Sequence, residues 1–152
     1  MNRLFALLIL LSVSATGVAA EKYAVLFKAH GSFSDVRAQL EMAIEGKGLK
    51  INSNGKISEM LDRTGKDIGA TRQVYAHAEQ FEFCNARISR MTMEADPHAI
   101  AMCPYIISIY QLPNDEHVYI AYRKPPATKN RALKKALAEL EKMLTDIIKE
   151  AL

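Results

Sequence analysis

The spacing of apolar positions along the chain predicts strands and helices in turn. Residues 23–29 are a short run of mainly apolar side chains, which is typical of a buried strand. After Ser32, a suitable helix cap, apolar side chains recur every three or four residues until Gly46 and Gly48 end the helix. This apolar face consists of Val36, Leu40, Ala43 and Ile44.

The middle of the chain continues with shorter elements. Residues 49–51 predict a short strand before an Asn54-Gly55 turn, and residues 58–69 predict a short helix or an ordered loop. Phe81 and Phe83 alternate with polar side chains, which predicts a second strand of this region.

A further helix is expected to begin at Asn85 and to stop at Asp96-Pro97, because a residue before proline is pushed out of the helical conformation. Its apolar face consists of Ile88, Met91 and Ala95. We expect residues 96–102 to return in extended form.

Two strands and a long helix complete the chain. Residues 105–112 and 117–123 are rich in β-branched and aromatic side chains and flank a polar turn, which predicts an antiparallel hairpin. Residues 129–152 carry one apolar stripe, which predicts the longest helix. The stripe consists of Leu133, Leu137, Leu140, Leu144, Ile147, Ile148 and Leu152.

This order of elements predicts an α+β fold. Strands joined by hairpins, together with helices that each have a single apolar stripe, favour a two-layer sandwich. It would be a mainly antiparallel sheet with the helices packed on one face, the long C-terminal helix among them. A chain of 152 residues, 49% of them hydrophobic, has room for one such domain, which we place at residues 21–152.

Residues 1–20 have the features of a cleavable secretory signal peptide. Arg3 gives a positive start, residues 4–13 are almost all apolar, and Val18 and Ala20 are small enough for signal peptidase. An apolar run of about ten residues is too short to span a membrane, which needs roughly 20. We therefore expect cleavage after Ala20 and a periplasmic or secreted protein without a transmembrane anchor.

Cleavage also removes one positive charge, that of Arg3. The mature chain keeps 19 of the 20 basic side chains against 17 acidic ones, a net charge of +2. This bias is too small to indicate nucleic acid binding. The sequence has no glycine-rich phosphate loop and no nucleophile elbow, so we expect no cofactor and lean towards a non-catalytic protein.

Three short motifs follow one another in the middle of the chain. A strand ends in Cys84-Asn85, a helix ends in Asp96-Pro97, and Cys103-Pro104 opens the hairpin. In this order they resemble the domain of unknown function 302 family, over residues 23–123, and the signal peptide suggests an exported subgroup of it. The resemblance implies a compact α+β fold and implies no activity.

The two cysteines are the candidate reactive residues. Cys84 precedes a helix N-terminus, and two arginines lie in the first turns, so the helix dipole and both guanidinium groups favour a thiolate with a lowered pKa. The intervening segment is long enough to bring Cys103 back to Cys84. A disulfide, two inert thiols, and a redox or metal-handling pair all remain open. The candidate supporting residues are Asn85, Arg87, Arg90 and Pro104.

Soft metal ligands accompany the cysteines. Met91, Met93, His98 and Met102 lie close to them in the sequence, which would suit copper(I) in an exported protein. Met91 and Met93, however, point in nearly opposite directions from a helix, so we expect no metal site.

A basic run surrounds the start of the last helix. It begins with Arg123 and Lys124 and continues with Lys129, Arg131, Lys134 and Lys135. Lysines at a helix N-terminus oppose the helix dipole, so the last four are a candidate docking patch for an acidic partner or anionic lipid. A solvated surface without a partner is the alternative.

These features favour a non-catalytic accessory module of the bacterial envelope, which recognises a small ligand or an envelope protein. The alternative is a thiol-based redox or soft-metal-handling protein centred on Cys84 and Cys103. A homodimer formed through the exposed edge of the hairpin is a third arrangement that the sequence leaves open.

Overall fold

An antiparallel sheet of six strands organises residues 19–20 and 23–152, the part of the chain that the computed structural model describes. The strands are β1 (Ala19–Ala20), β2 (Ala24–Ala29), β3 (Ile51–Lys56), β4 (His77–Phe83), β5 (Tyr105–Gln111) and β6 (Val118–Arg123). The α-helices are α1 (Phe33–Gly46), α2 (Ile57–Asp67), α3 (Ala86–Ala95) and α4 (Arg131–Glu150), and a 3-10 helix spans Pro97–Met102.

The strands lie in the order β1-β2-β6-β5-β4-β3, and each neighbouring pair is antiparallel. The predicted hairpin is present, with Ile109 of β5 opposite Ile120 of β6. β2 pairs with the other side of β6, and there Phe27 is opposite Ile120. The first long strand, β2, therefore pairs with the last strand, β6, which the linear order of elements does not reveal.

One face of the sheet forms the core with the helices, as the two-layer sandwich predicts. Alternate strand positions such as Phe81, Ile107 and Ile120 are completely buried beneath the helices. The predicted apolar face of α1 is buried, and so is the α4 stripe from Leu133 to Ile148. Leu152 is an exception, because the helix ends at Glu150 and leaves this side chain exposed.

Two local predictions about secondary structure were wrong. Asn54 and Gly55 do not form a turn but lie within β3, opposite Phe81 and Gln80 of β4. Pairing with β4 outweighs the local turn preference of this dipeptide. Residues 96–102 do not return in extended form either, because Asp96 caps a 3-10 helix that begins at Pro97.

The buried face of α3 also differs from the prediction. Ile88 is buried as expected, but the second buried residue is Thr92 and not Met91. The Thr92 hydroxyl donates to the Ser89 carbonyl oxygen at 2.8 Å, so its polar group is satisfied within the helix. Met91 instead lies at the surface of the same helix, where its sulfur accepts a hydrogen bond from Arg87.

The predicted signal peptide falls largely outside the described residues. Only Ala19–Ala20 of it is described, as β1, which pairs with β2 through Ala19 and Leu26. Cleavage after Ala20 would remove β1 and leave β2 as the edge strand. Across the described part of the chain, no helix combines the length and hydropathy that a membrane span requires.

Candidate functional site

The two cysteines meet at one end of the core. Phe83 of β4 pairs with Tyr105 of β5, and Cys84 directly follows the first while Cys103 lies two residues before the second. The Sγ atoms of Cys84 and Cys103 are 2.9 Å apart. This separation exceeds the length of a disulfide bond, about 2.05 Å, and both thiols are free. The contact that the sequence left within reach is therefore present, and the structure contains no bond between the two cysteines.

The predicted activation of Cys84 is wrong. Burial, followed by the hydrogen bond and the charge of Cys103, raises the pKa of the Cys84 thiol from 9.0 to about 11. The two arginines instead form ion pairs with carboxylates, Arg87 with Glu139 and Arg90 with Glu94. A neutral thiol is a poor nucleophile, so this geometry does not create a fast-reacting thiolate at neutral pH.

The supporting residues have structural roles near the thiols. Asn85 caps α3 as predicted, and its Oδ1 accepts from the Ile88 amide at 3.0 Å. Pro104 follows Cys103 through a cis peptide bond. Ser89 lies beneath the pair, with its hydroxyl 4.0 Å from the Cys103 sulfur and 3.2 Å from the Tyr105 hydroxyl. Within the described residues, no three His, Cys, Asp or Glu side chains are grouped as a metal site would require.

The basic patch lies at the start of α4. Lys129, Arg131, Lys134 and Lys135 are all exposed there. None of the four forms an ion pair within the described part of the structure. Their ability to bind an acidic partner or lipid stays a prediction.

The sheet face opposite α1, α3 and α4 carries three rows of side chains that the sequence pattern did not predict. The central row consists of Leu26, Ala121, Ser108, Gln80 and Gly55, which are paired in this order across five strands. One flanking row consists of Lys28, Tyr119, Tyr110 and Ala78. The other contains the paired residues Ala24 and Arg123, and the paired residues Ile106, Glu82 and Ser53.

The small side chains of the central row create a trough across this face. Ala121 and Ser108 lie between the larger Tyr110 on one side and Ile106 on the other. The resulting cavity has a volume of about 380 Å³, and Tyr75 and the start of α2 also line it. A cavity of this size is at the lower end of the range of small-molecule sites, about 300–1,000 Å³.

Tyrosine rings form one wall of the trough. Tyr75 and Tyr110 meet edge to face with their ring centroids 5.4 Å apart, and Tyr110 stacks on Tyr119 at 5.2 Å. Lys28 lies over the Tyr119 ring, 5.6 Å from its centroid. Rings that are braced against each other in this way offer a stiff aromatic surface to a ligand.

Polar groups occupy the floor and the end of the trough. On the floor, Gln80 Nε2 donates to the Ser108 hydroxyl oxygen at 3.1 Å. At the end, Arg123 is exposed and has no ion-pair partner among the described residues. In the sequence, Arg123 belongs to the basic run beside the prolines, but in the fold it lines the trough at the end of β6.

The fold and the trough define a two-layer α+β protein with a cavity on the sheet face opposite α1, α3 and α4. The family model of the Domain of unknown function DUF302 matches residues 25–151, and the chain belongs to this family. This confirms the resemblance noted in the three motifs.

A solved structure shows the same fold. It is an uncharacterized conserved protein DUF302 from Bacillus stearothermophilus, with a TM-score of 0.72 and 17% sequence identity. The match covers 87% of this chain and 100% of that chain. No curated protein matches the sequence.

Proposed function

We propose that this chain is an exported, non-catalytic module that binds a small ligand in the trough. The observation that carries the proposal is the cavity of about 380 Å³ on the open face of the sheet, which has at its end an arginine without an ion pair in the described part of the chain. Apolar and aromatic walls with a few convergent polar groups are the usual composition of a small-molecule site. The high pKa of Cys84 also favours binding over thiol catalysis.

Filling the trough tests this function. Ala121 is almost completely buried in the central row, so Ala121→Leu would place a larger side chain on the floor of the cavity. Ala138→Leu makes the same change at an exposed position of α4 and serves as the matched control. Both proteins would be purified from the exported fraction and compared with the unaltered protein by native mass spectrometry.

We expect a non-covalent small molecule to accompany the unaltered protein and Ala138→Leu, and to be lost from Ala121→Leu. Circular dichroism would show that all three proteins are folded. If Ala121→Leu keeps the same bound mass, or if no folded sample carries one, the trough is not a binding site of this protein.

Export is the second part of the proposal, and the signal-like residues 1–20 support it. N-terminal sequencing of protein from the periplasmic or secreted fraction should begin at Glu21. A chain that begins at Met1 and stays with the cytoplasmic fraction would contradict export while leaving the trough unaffected.

Thiol chemistry at Cys84 and Cys103 is the second candidate function, because their sulfur atoms are only 2.9 Å apart. In an oxidising compartment, a protein disulfide of the dithiol-oxidase class can accept both thiol protons and two electrons, and leave a Cys84–Cys103 disulfide. The test is a free-thiol count on unreduced exported protein. Two titratable thiols would contradict the bond, and rapid reoxidation after reduction would favour a redox role over a static bridge.

A further inference from the structure

The trough combines an aromatic wall with Arg123, which has no ion-pair partner among the described residues, and we propose that its ligand is a small aromatic carboxylate. This inference rests on the proposed binding function of the trough and adds the chemical class of the ligand. The shape, the charge and the hydrogen-bond donors of the trough each support that class.

The shape of the trough favours a flat molecule. Along β5, Tyr110 and Ile106 are four residues apart, so the two flanking rows are separated by about 13 Å at a rise of roughly 3.3 Å per residue. Between them, Ala121 and Ser108 raise the floor by only one or two side-chain atoms. A single aromatic ring with one substituent fits this length and depth.

The charges on this face favour an anion. In the three rows of this face, the charged side chains are Lys28 and Arg123, which are basic, and Glu82, which is acidic. Lys28 is placed over the Tyr119 ring, and Glu82 lies in the same row as Ile106 without an ion pair in the described structure. The cavity itself is lined by Arg123, and the planar guanidinium group matches the two oxygens of a carboxylate.

Glu79 also borders the cavity, but its carboxylate does not compete for Arg123. Glu79 belongs to the other face of β4, where Arg37 Nε and Lys56 Nζ hold its two oxygens at 2.9 and 2.7 Å. Arg123 therefore keeps its donors for a ligand.

A second donor lies within reach of the same carboxylate. The Ser108 oxygen already accepts a hydrogen bond from Gln80, so the Ser108 hydroxyl hydrogen is left to donate into the trough. Ser108 of β5 is opposite Ala121 of β6, and Arg123 lies two residues after Ala121. Ser108 and Arg123 are therefore diagonal neighbours on adjacent strands, which are about 7–8 Å apart. A carboxylate held between them directs its ring towards Tyr75 and Tyr110.

The experiment compares three probes of nearly equal size on uniformly labelled protein by NMR. Benzoate carries the ring and the charge, benzamide keeps the ring without the charge, and cyclohexanecarboxylate keeps the charge without the aromatic plane. Each probe is titrated into the unaltered protein, Arg123→Gln and Arg63→Gln, an exposed arginine outside the trough. Amide shifts at Ser108 and Ala121 report binding in the trough.

We expect benzoate to bind about tenfold more tightly than benzamide, as one charge-assisted pair at a half-exposed site provides. Arg123→Gln should abolish this preference, and Arg63→Gln should keep it. Arg123→Lys, which retains the charge without the planar fork, should give an intermediate preference and replaces Arg123→Gln if that variant does not fold.

Three results would overturn the assignment. Equal binding of benzoate and benzamide would show that the trough does not recognise the carboxylate. Equal binding of benzoate and cyclohexanecarboxylate would show that it does not recognise the aromatic ring. In both cases the trough would still be a binding site. Absence of shifts at Ser108 and Ala121 with all three probes would exclude this ligand class. Native mass spectrometry of Ala121→Leu decides the binding function separately.

Discussion

Arg37 of α1 donates from Nε to the carboxylate of Glu79 on β4, at 2.9 Å, and so joins the helical layer to the sheet. Lys56 of β3 holds the other oxygen of Glu79 at 2.7 Å. The Arg37 guanidinium also lies over the Phe81 ring, 5.3 Å from its centroid. One carboxylate thus connects three elements at a place where its side chain is only 13% exposed.

Glu79→Gln should destabilise the protein by about 1–3 kcal/mol, since two charge-assisted hydrogen bonds are weakened. The measurement is the free energy of unfolding in urea at pH 7. Glu94→Gln removes a surface pair with Arg90 and should cost no more than about 0.5 kcal/mol. Equal effects of the two substitutions would contradict a special role for Glu79.

The Glu79 carboxylate also predicts that the free energy of unfolding falls in acid. Burial raises the pKa of Glu79, but donation from Lys56 and Arg37 outweighs it, so the net pKa lies below the ordinary value of 4.5. A lowered pKa in the folded state means that this stabilisation is present above pH 4.5 and is lost as the pH falls below that value. Unfolding curves of Glu79→Gln should therefore be less pH-dependent in this range than those of the unaltered protein.

The turn between β5 and β6 depends on Asp115. Its carboxylate accepts from the His117 amide at 2.9 Å, from the Tyr119 hydroxyl at 2.7 Å and from His117 Nδ1, and these bonds lower the pKa of Asp115 from 3.8 to about 2. The contribution of these Asp115 hydrogen bonds to the stability of the protein is then complete above pH 3.8 and disappears as the pH approaches 2. Asp115→Asn should increase hydrogen exchange at the hairpin at neutral pH, and unchanged exchange would contradict this role.

Asn130 connects the start of α4 to the end of α3. Its Oδ1 accepts from the amides of Ala132 and Leu133, and its Nδ2 donates to the Ala95 carbonyl oxygen at 2.8 Å. Asn130→Ala should cost about 1–2 kcal/mol because it removes the cap. Asn130→Asp keeps the cap and loses only the donation to Ala95, so its cost should be smaller. Thermal unfolding distinguishes these outcomes.

The Cys84 thiol predicts that the stability of the reduced protein falls at alkaline pH. Its pKa is about 11 in the folded state against an ordinary value of 9.0. Because the folded state favours the neutral Cys84 thiol, its contribution to stability is present below pH 9.0 and is lost as the pH rises towards 11. Cys84→Ser should remove this alkaline dependence of urea unfolding, and an unchanged slope would contradict it.

A bond between the cysteines would add a measurable stabilisation. Closing a loop of about 20 residues contributes ~3 kcal/mol in the chain-entropy model. If this bond forms, protein kept without reductant should unfold at a higher urea concentration than the same protein with reductant, and Cys103→Ser should show no such difference. A response of Cys103→Ser to reductant would assign the effect to something other than this pair.

The local pattern of residues was sufficient for most elements and for the core. Helical spacing located α1 and α4, and strand alternation placed Phe81 and Phe83 in the interior, because burying one apolar face is the main driving force for folding in both cases. The pattern failed at Asn54-Gly55, where pairing with β4 outweighed a local turn preference. It also failed at Cys84, where burial and a second thiol outweighed the helix dipole.

By itself, then, the sequence determined the α+β class and the layers, since each follows from periodicity or from neighbouring elements, and it left a contact between the two cysteines within reach. The trough was decided only by tertiary structure. Ala121, Ser108 and Gln80 are small or polar residues on three strands, and nothing in the sequence relates them until the register of β6, β5 and β4 aligns them in one row. Register depends on long-range pairing across the whole sheet, which is why the trough and the position of Arg123 at its end appear only in the folded chain.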